Sequence, residues 1–221
     1  MTSSDFLKQT FPAWERLNKQ QQQYLEASCT EQAFEKGAII HRSDMPCRGM
    51  IILRSGMLRA YVLSDEGREI TLFRIRSGEC CVMSASCLLD AIEFDIMIEA
   101  SERAEACLIP AHVLHPMMEE NPYVGLFIYK QATERFSDVM WVLQQLLFMG
   151  ADRRVAIFLW DEMVRQNETT LLFTHEEVAR NISSAREVVT KTLKYFSEEG
   201  IVSLSRGKIE ILNKEKLKSL C

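Results

Sequence analysis

The spacing of apolar and polar positions changes character along the chain. The first thirty residues read as short helices, with Asn18 placed to cap a segment running to about Ser28 and with Tyr24 and Leu25 facing inward. From residue 33 to 110 short apolar runs take over, at 38–41, 50–53, 58–63, 69–75, 96–100 and 104–109. Five of the nine glycines fall in this stretch: Gly37, Gly49, Gly56, Gly67 and Gly78. Short runs about 8–12 residues apart with turn residues between them predict an all-β sandwich or barrel. Ser64-Asp65-Glu66-Gly67 reads as a turn joining two strands, and the unbroken run Ile96-Met97-Ile98 predicts a central strand.

After Pro110 the period is helical. A short helix over 112–120 is stopped by Asn121-Pro122, and a long helix runs from about Tyr123 to Met149. Its apolar residues Ile128, Ala132, Phe136, Val139, Leu143 and Leu146 recur at spacings of 4, 4, 3, 4 and 3, a coiled-coil-like seam. Val124, Phe127, Met140, Val142 and Leu147 form a second flank. The length of the seam favours a dimer contact over burial of both flanks in one monomer. Gly150 breaks the pattern, and Asp152 is placed to cap a helix over 153–166, ended by a turn at Asn167-Glu168-Thr169.

The stretch 174–211 carries the chemistry. Thr174-His175-Glu176-Glu177 fits a capping box and opens a short helix. Ile182-Ser183-Ser184 makes a turn, and Ser184-Ala185-Arg186-Glu187 fits a second capping box opening a helix to about Glu198. Two short helices on a tight turn are a helix-turn-helix. The runs 201–204 and 208–212 flank Ser205-Arg206-Gly207, a hairpin with a basic tip, and complete a winged helix. The first turn of a second helix meets base edges in a major groove. There Arg186 suits guanine, Glu187 suits cytosine N4, and Lys191 follows one turn on. Thr174, Lys194 and the backbone after Ser184 are candidates for phosphates, with Ala185, Thr190 and Arg206 on the same surface. The plainer alternative is that Arg186, Glu187 and Lys191 pair with one another on a solvated face.

Composition narrows the classes. With 221 residues, 47% apolar and 26% charged, the chain has the make-up of one or two globular domains. The best apolar run, 139–150, is broken by Gln144 and Gln145 and falls short of the roughly 18 residues of a membrane span. No signal peptide is visible, and seven irregularly spaced cysteines read as reduced thiols in a cytoplasm. The net charge is −5, of which residues 151–221 hold +1, so a nucleic-acid site must be a local patch. His41, His112, His115 and His175 lack a nucleophile at diagnostic spacing, so no enzyme is expected. His112-x-x-His115 reads as exposed histidines before metal ligands, and no metal site or cofactor is assigned. Cys80, Cys81 and Cys87 read first as buried thiols, with redox or metal sensing as the sharper alternative.

The residues Phe173-Thr174-His175-Glu176-Glu177-Val178-Ala179, Ile182-Ser183-Ser184-Ala185-Arg186-Glu187-Val188-Val189-Thr190-Lys191 and Gly200-Ile201-Val202 resemble the DNA-binding domain of the CRP/FNR transcription regulators. Gly67-Arg68-Glu69-Ile70-Thr71-Leu72 and Ser77-Gly78-Glu79 resemble that family's cyclic-nucleotide-type β-roll, and the long helix suits its dimerisation helix. Two positions depart: Ser183 stands where the family usually has Gly, and Lys191 where it commonly has Arg. The resemblance implies an α+β fold. An N-terminal, jelly-roll-like β-roll that senses an effector would span 1–122, a dimerisation helix 123–150, and a winged helix-turn-helix 151–221. It implies a cytoplasmic, effector-responsive homodimer on an inverted-repeat DNA operator, with RNA polymerase as a further partner and no membrane. The rival is a ligand-binding module whose C-terminal domain docks a protein.

The family's ligand-contacting position falls on Cys80, Cys81, Val82, Met83, Ser84, Ala85, Ser86 and Cys87. Tyr129, Thr133 or Ser137 of the long helix are expected to complete the effector pocket. This lining is soft and weakly polar, and Glu93-Phe94 falls where cyclic-nucleotide binders carry an Arg pair, so the effector is not expected to be cyclic AMP; an organic small molecule comes first, then thiol oxidation, then haem. Iron–sulfur sensors of the family use three closely spaced N-terminal cysteines and one in the roll. Cys107 resembles the last, but only Cys29 precedes Cys47, which argues against a cluster.

Overall fold

Residues 3–42, 44–83, 88–89 and 96–221 of the computed structural model are described. The chain divides into two compact units, residues 1–63 with 72–139, and residues 64–71 with 140–221. The division falls inside the long helix α4 (Pro122–Phe148).

The first unit opens with α1 (Ser3–Thr10), a turn of 3-10 helix (Trp14–Arg16) and α2 (Lys19–Ser28). Asn18 caps α2: its side chain accepts from the Gln21 N–H, and Gln21 accepts from the Asn18 N–H in return. Leu25 is fully buried as expected, but Tyr24 is half exposed, because neighbouring residues on a helix lie 100° apart and only one of them meets the core. Among the described residues eight strands follow: β1 (Thr30–Phe34), β2 (Ile39–His41), β3 (Met50–Ser55), β4 (Met57–Leu63), β5 (Glu69–Arg76), β6 (Cys80–Cys81), β7 (Met97–Ala100) and β8 (Ala104–Ile109). They form two four-stranded sheets, ordered β1-β8-β3-β6 and β2-β7-β4-β5. The strand carrying Met97-Ile98 is internal to its sheet, as its unbroken apolar run predicts. The core joins Phe6, Phe11 and Leu25 to Ile52, Ile109 and Ile128, with Phe11 edge-on to Phe127 at 4.9 Å. Helix α3 (Ala111–Glu120) precedes α4, and its His112 and His115 are exposed, His115 facing Glu119 at 3.8 Å.

The expectation of seven reduced cysteines fails at Cys29, Cys47 and Cys107, each of which is disulfide-bonded. Cys29 and Cys107 are joined by a disulfide, with Cα atoms 6.0 Å apart. Antiparallel pairing sets Glu31 opposite Cys107, which brings the residue just before β1 diagonally beside β8. A sequence separation of 78 residues hides that closeness. Cys80, Cys81 and Cys221 carry reduced thiols.

Gly49 is the tightest point of the β unit. Its φ is +89°, and a Cβ there would lie 2.0 Å from the Ile109 carbonyl oxygen, a backbone atom that cannot swing away. Gly49→Ala combines left-handed strain with overpacking and is expected to lose about 2–5 kcal/mol of stability. A urea unfolding midpoint equal to the wild type's would refute this.

The second unit holds α5 (Ala151–Gln166), β9 (Thr170–Leu171), α6 (His175–Asn181), α7 (Arg186–Glu198), β10 (Val202–Ser205), β11 (Lys208–Ile211) and α8 (Lys214–Ser219). Its core gathers Phe158, Val178, Val189, Leu193, Phe196 and Ile209. Asp152 sits in the first turn of α5 and does not cap it; the cap position is Gly150. The Thr174–Glu177 capping box is present at α6. The second expected box is not, since Ala185 holds the cap position of α7 without a side-chain bond. The reason lies in the end of α6. Ser183 adopts φ +55°, and the Ser184 N–H closes back on the Ala179 carbonyl, a left-handed C-terminal cap that uses Ser184 to finish the first helix. Ser183 is buried, and its hydroxyl accepts from the Thr71 N–H of the same unit at 3.1 Å, a bond that glycine there would lack. The wing turns on Arg206-Gly207 alone, with Ser205 paired to Lys208, and β9 adds a third strand to it.

Candidate nucleic-acid interface

Helix α7 separates its residues cleanly. Val189, Leu193 and Phe196 are buried at spacings that follow the helical repeat, which turns Arg186, Glu187, Thr190, Lys191 and Lys194 to the outside. These five share one groove-like concavity of about 390 Å³. The five expected on this helix are thus brought together on one exposed face. Lys194 also stands 4.0 Å from Glu198 one turn on, an exposed pair that leaves it available.

A second notch, of about 520 Å³, lies between the start of α6, the start of α7 and the wing turn. It joins Thr174 and Arg206, both expected from the sequence, to Arg186 and to residues that were not, His175 and Glu176 among them. The His175 Nδ1 lies 3.0 Å from the Thr190 hydroxyl and so ties the two helices of the motif together. Burial first, and the Arg186 charge second, hold the His175 imidazole below its ordinary pKa. The signal for His175 was its place directly after the cap residue of α6, where a side chain stays close to the following helix. Ser184 and Ala185 line a neighbouring concavity, with Arg154, Glu176 and Arg180.

The expected effector segment is described only in part; Ser84, Ala85, Ser86 and Cys87, like Glu93 and Phe94, lie outside the described residues. Cys80, Cys81, Val82 and Met83 are all buried. Burial, reinforced by the neighbouring Cys81, pushes the Cys80 thiol up to about 12, so it carries no thiolate at neutral pH. The Cys80 S–H donates to the Gln131 Oε1 at 3.3 Å. Tyr129 and Thr133 are exposed. The α4 residue that bonds the described part of this segment is Gln131, in step with buried Val124, Phe127, Ile128 and Arg135. Arg135 is itself buried, over the Phe73 ring at 5.1 Å, and bonds Glu79 at 3.4 Å and Asp138 at 2.9 Å. The surroundings are therefore less uniformly neutral than the sequence suggested.

The residues expected in a dimer seam are exposed only in part. Ile128 is fully buried in the first unit and Ala132 packs against the same core, so neither is open to a partner. Phe136 and Leu143 are exposed, whereas Val139 and Leu146 are half-buried. The exposed stripe of α4 is Leu126, Tyr129, Phe136, Met140, Leu143 and Leu147. With Thr133 included, it steps by 3, 4, 3, 4, 3 and 4, a regular heptad pattern.

A capped two-helix motif with a basic outer face, followed by a wing and preceded by a two-sheet β unit and a long helix, defines a helix-turn-helix transcription regulator. The cyclic nucleotide-binding domain family matches residues 31–121, and the Crp-like helix-turn-helix domain family matches residues 153–220. A crp/fnr-family structure from Eubacterium rectale is 41% identical, with a TM-score of 0.90 over 96% of this chain and 98% of its own. The transcriptional activator protein anr of Pseudomonas aeruginosa is 24% identical over 194 residues, 84% of this chain and 78% of its own. The c-di-GMP-responsive global regulator CLP of Xanthomonas campestris shares the fold, with a TM-score of 0.76 at 18% identity over 89% of this chain and 100% of its own. The chain belongs to the CRP/FNR family of transcription regulators. No helix among the described residues is long and apolar enough to cross a membrane.

Proposed function

We propose that the protein is a cytoplasmic, effector-responsive homodimer that binds an inverted-repeat operator and acts on transcription through RNA polymerase. Residues 1–122 would sense a small organic effector, 123–150 would pair the subunits, and 151–221 would read DNA. The observation that carries this reading is the α7 face, where Arg186, Glu187, Thr190, Lys191 and Lys194 stand together beside the wing residue Arg206. Arg186 and Glu187 in the first turn are set for base edges, and Lys191, Lys194 and Arg206 for phosphates. The heptad stripe of α4 supplies a surface on which two copies pair about a two-fold axis, placing two recognition helices about 34 Å apart. A ligand that binds the β unit differently in two packings of that helix pair would shift their population and so the spacing.

Selection of duplexes from a random pool on the full-length protein tests this reading. The enriched sequences are expected to be inverted repeats. Their affinity is expected to fall with salt along a log–log slope of about −0.9 per neutralised phosphate. Enrichment of no duplex, or binding insensitive to salt, refutes the proposal.

A further inference from the structure

The notch between α6, α7 and the wing turn collects three basic side chains from three separate elements: His175, Arg186 and Arg206. We propose that it seats one DNA backbone phosphate and that His175 takes up a proton when it does so, which ties operator affinity to pH. This rests on the DNA-binding reading above and adds a site and a regulation to it.

The geometry supports a phosphate first. A recognition helix lying in the major groove brings its first turn and the wing against the flanking backbone. The charged groups facing His175 are Glu176 from its own helix, Arg186 from the recognition helix and Arg206 from the wing. Two of the three are cations, so the notch without DNA repels a further positive charge. Consistently, burial and then the Arg186 charge hold the imidazole below its ordinary pKa. A phosphate reverses the balance by placing negative charge against the ring. The ring is already oriented, because Nδ1 is engaged with the Thr190 hydroxyl and Nε2 is left for the anion.

The imidazolium has a second effect. With both ring nitrogens protonated, Nδ1–H must donate to the Thr190 oxygen. The Thr190 hydroxyl hydrogen is then directed away from His175 and is available to an acceptor on DNA. Protonation thereby prepares a donor on the base-reading face.

The sign follows from linkage. DNA raises the His175 pKa, so the complex binds more protons than the free protein, and affinity rises as pH falls through the interval between the free and bound values. Below the free value and above the bound value it is flat. Each unit by which DNA raises that pKa corresponds to about tenfold in affinity per subunit.

The test uses the full chain and a fluorescent duplex enriched from a random pool, with anisotropy measured from pH 5.5 to 8.5 at fixed ionic strength. Kd is expected to tighten by about three- to tenfold per subunit on going from pH 8 to pH 6. Calorimetry in two buffers of different ionisation enthalpy should register proton uptake. His175→Gln should still bind but lose both effects, and His175→Arg should bind at pH 8 as the wild type does at pH 6. A wild type with no pH dependence, or a His175→Gln variant that keeps it, overturns this inference and leaves the DNA-binding reading standing. Failure to enrich any duplex overturns both.

Discussion

Phe136→Glu combined with Leu143→Glu is expected to leave the protein monomeric at micromolar concentration and to weaken operator binding by about 10²–10⁴-fold. Both side chains lie on the exposed stripe of α4, 66% and 43% exposed respectively, so the substitutions remove nothing from the core of either unit. They place carboxylates where two helices would bury Leu126, Phe136, Met140, Leu143 and Leu147 against their counterparts, and like charges brought together in an apolar seam are strongly unfavourable. The loss in affinity is that of bivalency, since the second recognition helix binds at high effective concentration only while tethered to the first. Ile128→Ala is the informative control. It creates a cavity in the first unit and should lower the unfolding midpoint by the equivalent of about 2–4 kcal/mol without changing the oligomeric state. Sedimentation that finds the wild type monomeric, both free and on DNA, removes the seam as an interface.

Arg186→Ala is expected to weaken binding by about 1–3 kcal/mol per half-site, between about five- and 150-fold, and to relax preference at one base pair. Arg186 occupies both concavities of the surface, the α7 face and the notch, so its loss removes a base contact and a cation beside the backbone together. Lys191→Ala should behave differently. A flexible ammonium is a less directional reader than a guanidinium, so the expected result is weaker binding to all sequences and a salt slope reduced by about one per subunit. Unchanged affinity and unchanged base preference in Arg186→Ala would show that this face does not read DNA.

What was legible in the sequence was local. The Asn18 and Thr174 caps depend on residues three apart, and both form as the pattern predicts. The Ser184 box has the same letters and fails, because Ser183 takes a left-handed conformation and draws Ser184 into the end of the preceding helix. No pattern of letters reports which of two adjacent caps will claim a residue. The face of α4 that packs inward was ambiguous for a related reason. Both flanks are apolar, so period alone could not say which one the β unit covers: Ile128, expected in the seam, is buried in the first unit, while its neighbour Tyr129, about 100° round the helix, is exposed. The Cys29–Cys107 pair depends on strand pairing across most of the first unit and left no local trace. The α7 face needed neither, since a helix with one apolar side declares its other side as well.

The apolar stripe on α4 also bears on how much active regulator a cell holds. A species that must pair to read DNA exists, while pairing is incomplete, in proportion to the square of the chain concentration. On the proposed homodimeric reading, halving the supply of chains leaves about a quarter of the DNA-reading form, so changes in synthesis or degradation reach transcription amplified.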